Sequence, residues 1–136
     1  MPIFAEYRPL YKISHILLIL YLCSRGGKSS LIKLQLFNWV IKDKSRNRFL
    51  LEAADAGVLN VNVWGLDPTV NSAIQFGMAE KLLETSSNGV TITSIGKEYI
   101  KDIIENNVIE ADVNFLTRIG KKITETMVSD VSDTWG

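Results

Sequence analysis

Residues 66–104 constrain the fold of this chain more than any other stretch. Asp67-Pro68 pairs a strong helix N-cap with the residue favoured at the first helical position, which predicts a helix start. Asn88-Gly89 lies between two short runs of apolar and polar residues and predicts a β-hairpin turn. Thr93 or Ser94 can cap a further helix. The stretch therefore predicts helix, hairpin and helix, in that order.

The apolar residues of this stretch predict which sides face inward. In the first helix the inward positions are Val70, Ala73, Ile74, Gly77 and Met78, continuing to Leu82, and the outward positions are Asn71, Ser72 and Gln75. The predicted strands are residues 83–85 and 90–93. The closing helix is predicted from about 95 to 106, with Ile95, Tyr99, Ile103 and Ile100 as its inward candidates.

The N-terminal half reads as three helices. Residues 10–24 are apolar nearly all round, which predicts a helix at the centre of the domain or one sealed by a second chain. Ser29 or Ser30 can cap the second helix. The third is predicted from a cap at Ser45 to Ala56, with Gly57 as its stop. Residues 58–64 alternate with a period near two, as in a short strand or an extended connector.

A last helix is predicted over residues 110–128. Its apolar positions form a narrow stripe close to a heptad seam, which fits either packing on the domain or a seam with a partner or a second copy. With 136 residues, the chain fits one domain, assigned to residues 10–128. Residues 1–9 are predicted to be an N-terminal arm and residues 129–136 a C-terminal tail. The predicted class is mainly α with a small β-hairpin, that is, α+β.

Charge is distributed unevenly although the formal net charge is +0. Residues 1–50 hold nine Lys and Arg against two Asp and Glu, whereas residues 51–136 hold six against thirteen. The asymmetry favours a basic surface that meets nucleic acid or an acidic protein, and the alternative is an inert dipolar surface. The candidate contacts with a phosphate or an acidic partner are Arg25, Lys28, Lys33, Lys42, Lys44, Arg46 and Arg48.

No catalytic constellation stands out in the sequence. Cys23 is the single cysteine, which excludes an internal disulfide and favours a reducing, cytoplasmic location; no membrane association is predicted. His15 is the single histidine and lies in an apolar run, as core or interface histidines do. Gly27-Lys28-Ser29 lacks the earlier glycine of a phosphate-binding loop. We therefore predict no catalytic, metal or cofactor site, and no enzyme.

The predicted order of elements is the layout of a winged helix-turn-helix with additional N- and C-terminal helices. Residues 82–84 and 90–100 resemble the wing of many bacterial winged-helix proteins, in which a Leu-Thr-x-x-Gly-x-x-x-Leu pattern closes the wing and starts the next helix. Ile92-Thr93 and Gly96 occupy those places here. This pattern is more specific for the fold than for a function.

A wider resemblance covers most of residues 10–128. Residues 36–48, 67–80 and 115–128 are similar to the middle components of bacterial ABC-three-component systems, of which Lamassu-type antiviral defence is an example. The resemblance implies a non-catalytic assembly subunit bound to a large SMC-like or Rad50-like ATPase, beside an effector subunit. It also implies contact with DNA through the complex, in defence against phage or plasmids. A homodimer formed through the first or the last helix is a further arrangement that would bury their apolar residues.

The alternative function is a winged-helix DNA-binding transcriptional regulator. Asn71, Ser72 and Gln75 would then reach base edges in the major groove. However, residues 68–79 contain no Lys or Arg, and the predicted wing tip Ser-Ser-Asn-Gly contains none either. Because neutralisation of the DNA backbone supplies much of the affinity, such a reading helix is expected to bind weakly.

Overall fold

The computed structural model describes residues 8–135 of the chain. They form seven α-helices and three short strands, in the order α1, β1, α2, α3, α4, β2, β3, α5, α6, α7. The bounds are α1 Arg8–Cys23, β1 Lys28–Ser29, α2 Leu31–Ile41, α3 Asn47–Ala56, α4 Pro68–Ala79, β2 Leu83–Ser86, β3 Gly89–Ile92, α5 Ser94–Glu105, α6 Glu110–Ile119 and α7 Glu125–Ser132. The mainly helical α+β class is confirmed. Of the predicted arm, residues 1–7 lie outside the described residues, and α1 begins at Arg8.

Helix α1 is the centre of the core. Ile13, Ile16, Leu17 and Leu20 are at most 1% exposed, and α1 packs against α2, α4, α5 and α6. A helix that is apolar on most sides is therefore covered within a single chain, the first of the two arrangements predicted for it. No helix within residues 8–135 is both long and apolar enough to cross a membrane.

Local capping sets the start and end of α2 and α3. The Ser30 hydroxyl accepts a hydrogen bond from Lys33 N, and Gly57 ends α3 with a left-handed φ of 75°. The cap predicted at Ser45 is wrong. Asp43 instead accepts from Ser45 N and opens a short 3-10 turn, Lys44–Arg46, before α3. Residues 58–64 form the extended connector rather than a strand, with Leu59, Val61 and Trp64 buried against the core.

Asp67 fixes the start of α4 as predicted. One carboxylate oxygen accepts from Thr69 N at 2.9 Å, and the other accepts from Lys42 Nζ at 3.2 Å and Asn38 Nδ2 at 3.4 Å. Burial opposes ionisation of this carboxyl, but the hydrogen bonds from Thr69, Lys42 and Asn38 outweigh it and lower the pKa of Asp67. Met78, predicted to face inward, is 43% exposed, so the inward stripe of α4 ends at Gly77.

The three strands form one antiparallel sheet in the order β1-β3-β2. Strand β1 pairs Lys28 with Thr91 and Ser29 with Val90, and the hairpin closes at Ser86 and Gly89. The predicted turn is therefore one residue late, because Ser87 and Asn88 form the loop. Gly89 has φ 139°, and a Cβ there would lie 2.3 Å from Ser29 O, so the approach of β1 requires glycine.

Strand β1 is absent from the sequence prediction, which treated residues 24–30 as a helix stop and a cap. Two residues are too few to show the alternation that marks a strand. For α5, Thr93 is the cap, accepting from Gly96 N at 3.0 Å. Ile95, predicted to face inward, is 51% exposed, and Ile100 is buried in its place.

The single helix predicted over residues 110–128 is wrong. Helix α6 ends at Ile119, Gly120 takes φ 57°, and the Thr124 hydroxyl starts α7 by accepting from Met127 N. Leu116 and Ile123 are covered within the chain, so the apolar positions do not form a continuous seam. Helix α7 continues to Ser132, past the predicted start of the tail, and Trp135 Nε1 donates to Asn62 O at 2.8 Å.

Candidate functional site

The seven candidate cations do not form one surface. Arg25 and Lys28 precede α2, whereas Lys42, Lys44, Arg46 and Arg48 follow it. Because α2 has 11 residues, its two ends lie about 16 Å apart. Lys33, the seventh, is only 3% exposed, which corrects its prediction as a surface contact.

The group after α2 is partly engaged within the chain. Lys42 Nζ donates to Asp67 Oδ2 at 3.2 Å. Arg46 donates to Trp39 O at 2.8 Å, and its guanidinium lies 4.3 Å from the Trp39 ring centroid. Lys44 and Arg48 remain exposed. These cations therefore brace the α2–α3 connection and offer few charges to a partner.

The group before α2 opens onto a cavity of about 610 Å³ between β1, the start of α2 and the start of α7. We call it the basic cavity. Its lining contains four cations and one carboxylate, namely Arg25, Lys28, Lys33, Lys121 and Glu125. Glu125 Oε1 accepts from the Ser30 hydroxyl at 2.6 Å, and Oε2 accepts from Ser30 N at 3.1 Å. This link holds α7 against the first turn of α2.

The inner wall of the basic cavity is formed by Lys33 and Cys23. Lys33 Nζ donates to Cys23 O at 2.9 Å and lies 5.7 Å from the Phe37 ring centroid. Burial lowers the pKa of Lys33 because it penalises the charged ammonium. Burial also raises the pKa of the Cys23 thiol to about 12, and this thiol donates to Leu116 O. Cys23 is therefore an inert core thiol at neutral pH.

The predicted recognition residues lie on a different face. Asn71, Ser72 and Gln75 are all exposed on α4. Asn71 and Gln75 line a groove of about 660 Å³ between α4, the start of α2 and the hairpin, together with Leu31 and Ile32. A smaller cavity of about 330 Å³ shares Asn71, Leu31 and Ile32 and adds exposed Leu66 and Pro68. We call the two together the neutral groove.

No Lys or Arg of residues 8–135 lines the neutral groove. Its single ionisable residue from that part of the chain is Asp67, whose carboxylate caps α4 and binds Lys42. The groove thus combines apolar side chains with amides and hydroxyls. Ser30 and Asn88 line both the neutral groove and the basic cavity, so the two surfaces meet at the start of α2 and the hairpin tip.

His15 links helices α1 and α6 and lines none of the cavities described above. Its Nε2 lies 2.6 Å from Asp112 Oδ2 on α6, and its Nδ1 lies 3.0 Å from Tyr11 O. The side chain is 5% exposed, and both ring nitrogens are occupied by acceptor oxygens of the chain. The pair therefore tethers α1 to α6. Within the described part of the chain, no three His, Cys, Asp or Glu side chains converge as metal ligands would.

The sequence prediction missed the α7 side of the basic cavity. Lys121, Thr124 and Glu125 were placed inside one long helix, where they would have been surface residues. A local signal was present, because Gly120 followed by a Thr at position 124 is typical of a helix stop and a new N-cap. Neither residue indicates that α7 folds back beside α2.

Comparison of the chain with known protein families, with proteins of assigned function and with solved structures finds no match.

Proposed function

We propose that this protein is a winged-helix assembly subunit, without catalytic activity of its own, of a bacterial ABC-three-component defence complex. Its partners in this proposal are a large SMC-like or Rad50-like ATPase and an effector subunit, and its location is the cytoplasm. The complex would act against phage or plasmids, with DNA contacted through the complex. The resemblance in residues 36–48, 67–80 and 115–128 supplies this expectation.

Element order supports the winged-helix part of the proposal. Helix α4 directly precedes the β2–β3 hairpin, as a recognition helix precedes its wing. The strand order β1-β3-β2 puts a strand from before α2 beside the second hairpin strand, which joins the wing to the helical core. On this interpretation α5, α6 and α7 are the additional C-terminal helices.

The neutral groove is the observation that carries the assembly function. It occupies the place where a winged helix would meet DNA, yet its walls offer no cation from residues 8–135 to a phosphate backbone. Its exposed apolar side chains include Leu31, 42% exposed, and Leu66, 61% exposed. Protein interfaces have this character, with charges depleted at the core and hydrogen-bonding groups around it. We infer that the ATPase subunit docks in the neutral groove.

The test is capture of the ATPase after co-expression of the chain with its operon neighbours. Leu31→Asp in the neutral groove is expected to lower recovery of the ATPase at least about tenfold, because a charge would be desolvated without a partner. Ile95→Asp is the matched control. Both residues are exposed apolar side chains in the first turn of a helix, where Asp is tolerated.

Two results would contradict the proposal in different ways. If the wild-type chain recovers no large coiled-coil ATPase, the assembly function is wrong. If Leu31→Asp and Ile95→Asp recover the ATPase equally well, the subunit assembles through another surface. Turnover of ATP or nucleic acid by the pure isolated chain would overturn the non-catalytic part of the proposal.

The alternative is a DNA-binding regulator, favoured by one observation. Asn71, Ser72 and Gln75 project from the outer face of α4 beside the hairpin, and amides of this kind can bind adenine edges. This function predicts that the isolated chain binds short duplex DNA with an affinity that falls as salt rises. Absence of binding at low salt removes the alternative and leaves the assembly function untouched.

A further inference from the structure

We propose that the basic cavity binds the phosphate groups of a small oligophosphate, such as a nucleoside triphosphate or pyrophosphate. The proposal does not depend on which protein occupies the neutral groove. It rests on four cations from three segments of the chain that converge on one cavity, and on the single carboxylate that opposes them.

The three cations at the mouth of the cavity are available to a ligand. Arg25, Lys28 and Lys121 are exposed, and none takes part in the ion pairs found among residues 8–135. Arg25 and Lys28 come from the segment between α1 and α2, and Lys121 comes from the turn between α6 and α7. Three positive charges that line the same cavity favour an anion within it.

Lys33 places a fourth charge at the inner wall. The residue is only 3% exposed. Among the described residues, Cys23 O is the one acceptor of a hydrogen bond from its side chain. An ammonium group has three donors, so two of them have no acceptor among residues 8–135. The Glu125 carboxylate favours the charge of this buried ammonium, and a phosphate oxygen in the cavity would favour it further.

Glu125 marks where an anionic oxygen binds. Its carboxylate accepts from the Ser30 N–H and hydroxyl at the N-cap of α2, so an anionic group already lies at the start of this helix. The lining thus already contains one bound carboxylate, and four cations exceed it by three positive charges. That excess matches a diphosphate or triphosphate better than a single carboxylate.

The size of the cavity favours a small ligand over a polymer. A volume of about 610 Å³ falls within the range of small-molecule sites, about 300–1,000 Å³. Ile123 and Cys23 line the cavity but are at most 1% exposed, so they offer little surface to a ligand. Lys28 and Ser29 line the cavity, although Gly27-Lys28-Ser29 lacks the full phosphate-binding loop pattern, and no hydrolysis is proposed.

The experiment is calorimetric titration of the full chain with pyrophosphate and with ATP at about 50 mM salt, where screening is modest. Lys28→Gln with Lys121→Gln is expected to weaken both affinities at least about tenfold, since two charge-assisted contacts are lost. The matched control is Lys97→Gln with Lys101→Gln, which removes the same charge from exposed positions of α5 and is expected to change affinity less than about twofold.

A gain of affinity distinguishes a binding site from damage to the fold. Glu125→Gln keeps an oxygen that accepts from Ser30 but removes the opposing charge, so it is expected to tighten pyrophosphate binding about threefold or more. Thermal unfolding shows whether each variant is folded. If the double variant does not fold, the affinity of Glu125→Gln for pyrophosphate is the deciding measurement.

The two affinities distinguish recognition of a nucleotide from recognition of its phosphates alone. ATP binding tighter than pyrophosphate binding supports a nucleotide, and equal affinities support recognition of the phosphates alone. No pyrophosphate or ATP binding by the wild-type chain would overturn the proposal, as would equal weakening in the α5 control. Binding of a short DNA duplex that neither compound competes away would also overturn it, because the cations would then follow a polymer backbone.

Discussion

The neutral groove and the basic cavity meet at Ser30 and Asn88 but differ in charge. The groove lies beside α4 and the hairpin, the elements that the proposed winged helix would present to DNA, and no cation of residues 8–135 lines it. The cavity has the cations, yet they come from the α1–α2 segment, from α2 and from the α6–α7 turn, and not from α4, the proposed recognition helix. Shape and charge, which coincide in a DNA reader, are separated here, and this argues for two different ligands.

The largest loss of unfolding free energy is expected on substitution of Asp67, the ionisable residue of the neutral groove among residues 8–135. Asp67→Ala removes the α4 cap and leaves Lys42 and Asn38 without their acceptor, so unfolding in denaturant should show a loss of about 3 kcal/mol. Asp67→Asn keeps a capping oxygen and is expected to lose about 1 kcal/mol.

The pH dependence of stability in the two Asp67 variants tests whether the Asp67 carboxylate is engaged within the chain, as the description of the groove as neutral requires. The lowered pKa of Asp67 stabilises the folded state above the ordinary carboxyl pKa, and this contribution is lost as the pH falls below it. The decline should be shallower in Asp67→Asn than in the wild type. A fully stable Asp67→Ala variant would mean that the carboxylate is free for a partner, and the groove would then be acidic.

A smaller effect is expected at Cys23, on the inner wall of the basic cavity. The folded state raises the pKa of this thiol to about 12, so it stays protonated after the thiol of the unfolded chain has ionised. The unfolded state then binds fewer protons, and stability falls as the pH rises above the ordinary thiol pKa. Between about pH 8 and about pH 10.5 the loss should be about 2 kcal/mol.

Cys23→Ala is the control for this pH dependence. Lys33, whose pKa is lowered, contributes with the opposite sign over the same alkaline range, because its ammonium is favoured in the unfolded chain. The measurement is therefore the difference in slope of unfolding free energy against pH between the wild type and Cys23→Ala. Equal slopes would show that the thiol is open to solvent and that the wall of the cavity is loose.

The smallest effect is expected on the outer face of α4. Asn71→Ala with Gln75→Ala should change the unfolding free energy by less than about 0.5 kcal/mol, since both side chains are exposed. Chemical denaturation measures it. A loss above about 1 kcal/mol would show that these residues serve the fold, and the contrast between a binding groove and a structural core would no longer apply to them.

Most local features of the fold could be predicted because each depends on residues a few positions apart. Asp67-Pro68 starts a helix, Gly57 ends one, and Thr93 or Ser94 could cap α5, with Thr93 chosen by the structure. Errors arose where partners are distant in the chain. Ile95 has the same character as a core residue, but its exposure depends on how α5 lies on α1.

The candidate site was only half predictable. The sequence identified Arg25 and Lys28 as cations of interest and Asn71 and Gln75 as outward residues, and all four are exposed. It grouped Lys33 with the surface cations, because the sequence shows that the residue is a lysine and does not show that it is buried. Lys121 was missed, since it reaches the basic cavity through a fold-back of α7 on α2 that no local pattern specifies.

The helical class, the hairpin, the Asp67 cap and the absence of cations from α4 are all visible in the sequence, because they depend on neighbouring residues or on residue type. Three features are visible only in the folded chain: α1 is covered within it, β1 joins the sheet, and Glu125 meets Ser30 across 95 positions. The physical reason is that burial and charge convergence are properties of contacts between distant segments. Local periodicity carries no information about which segments those are.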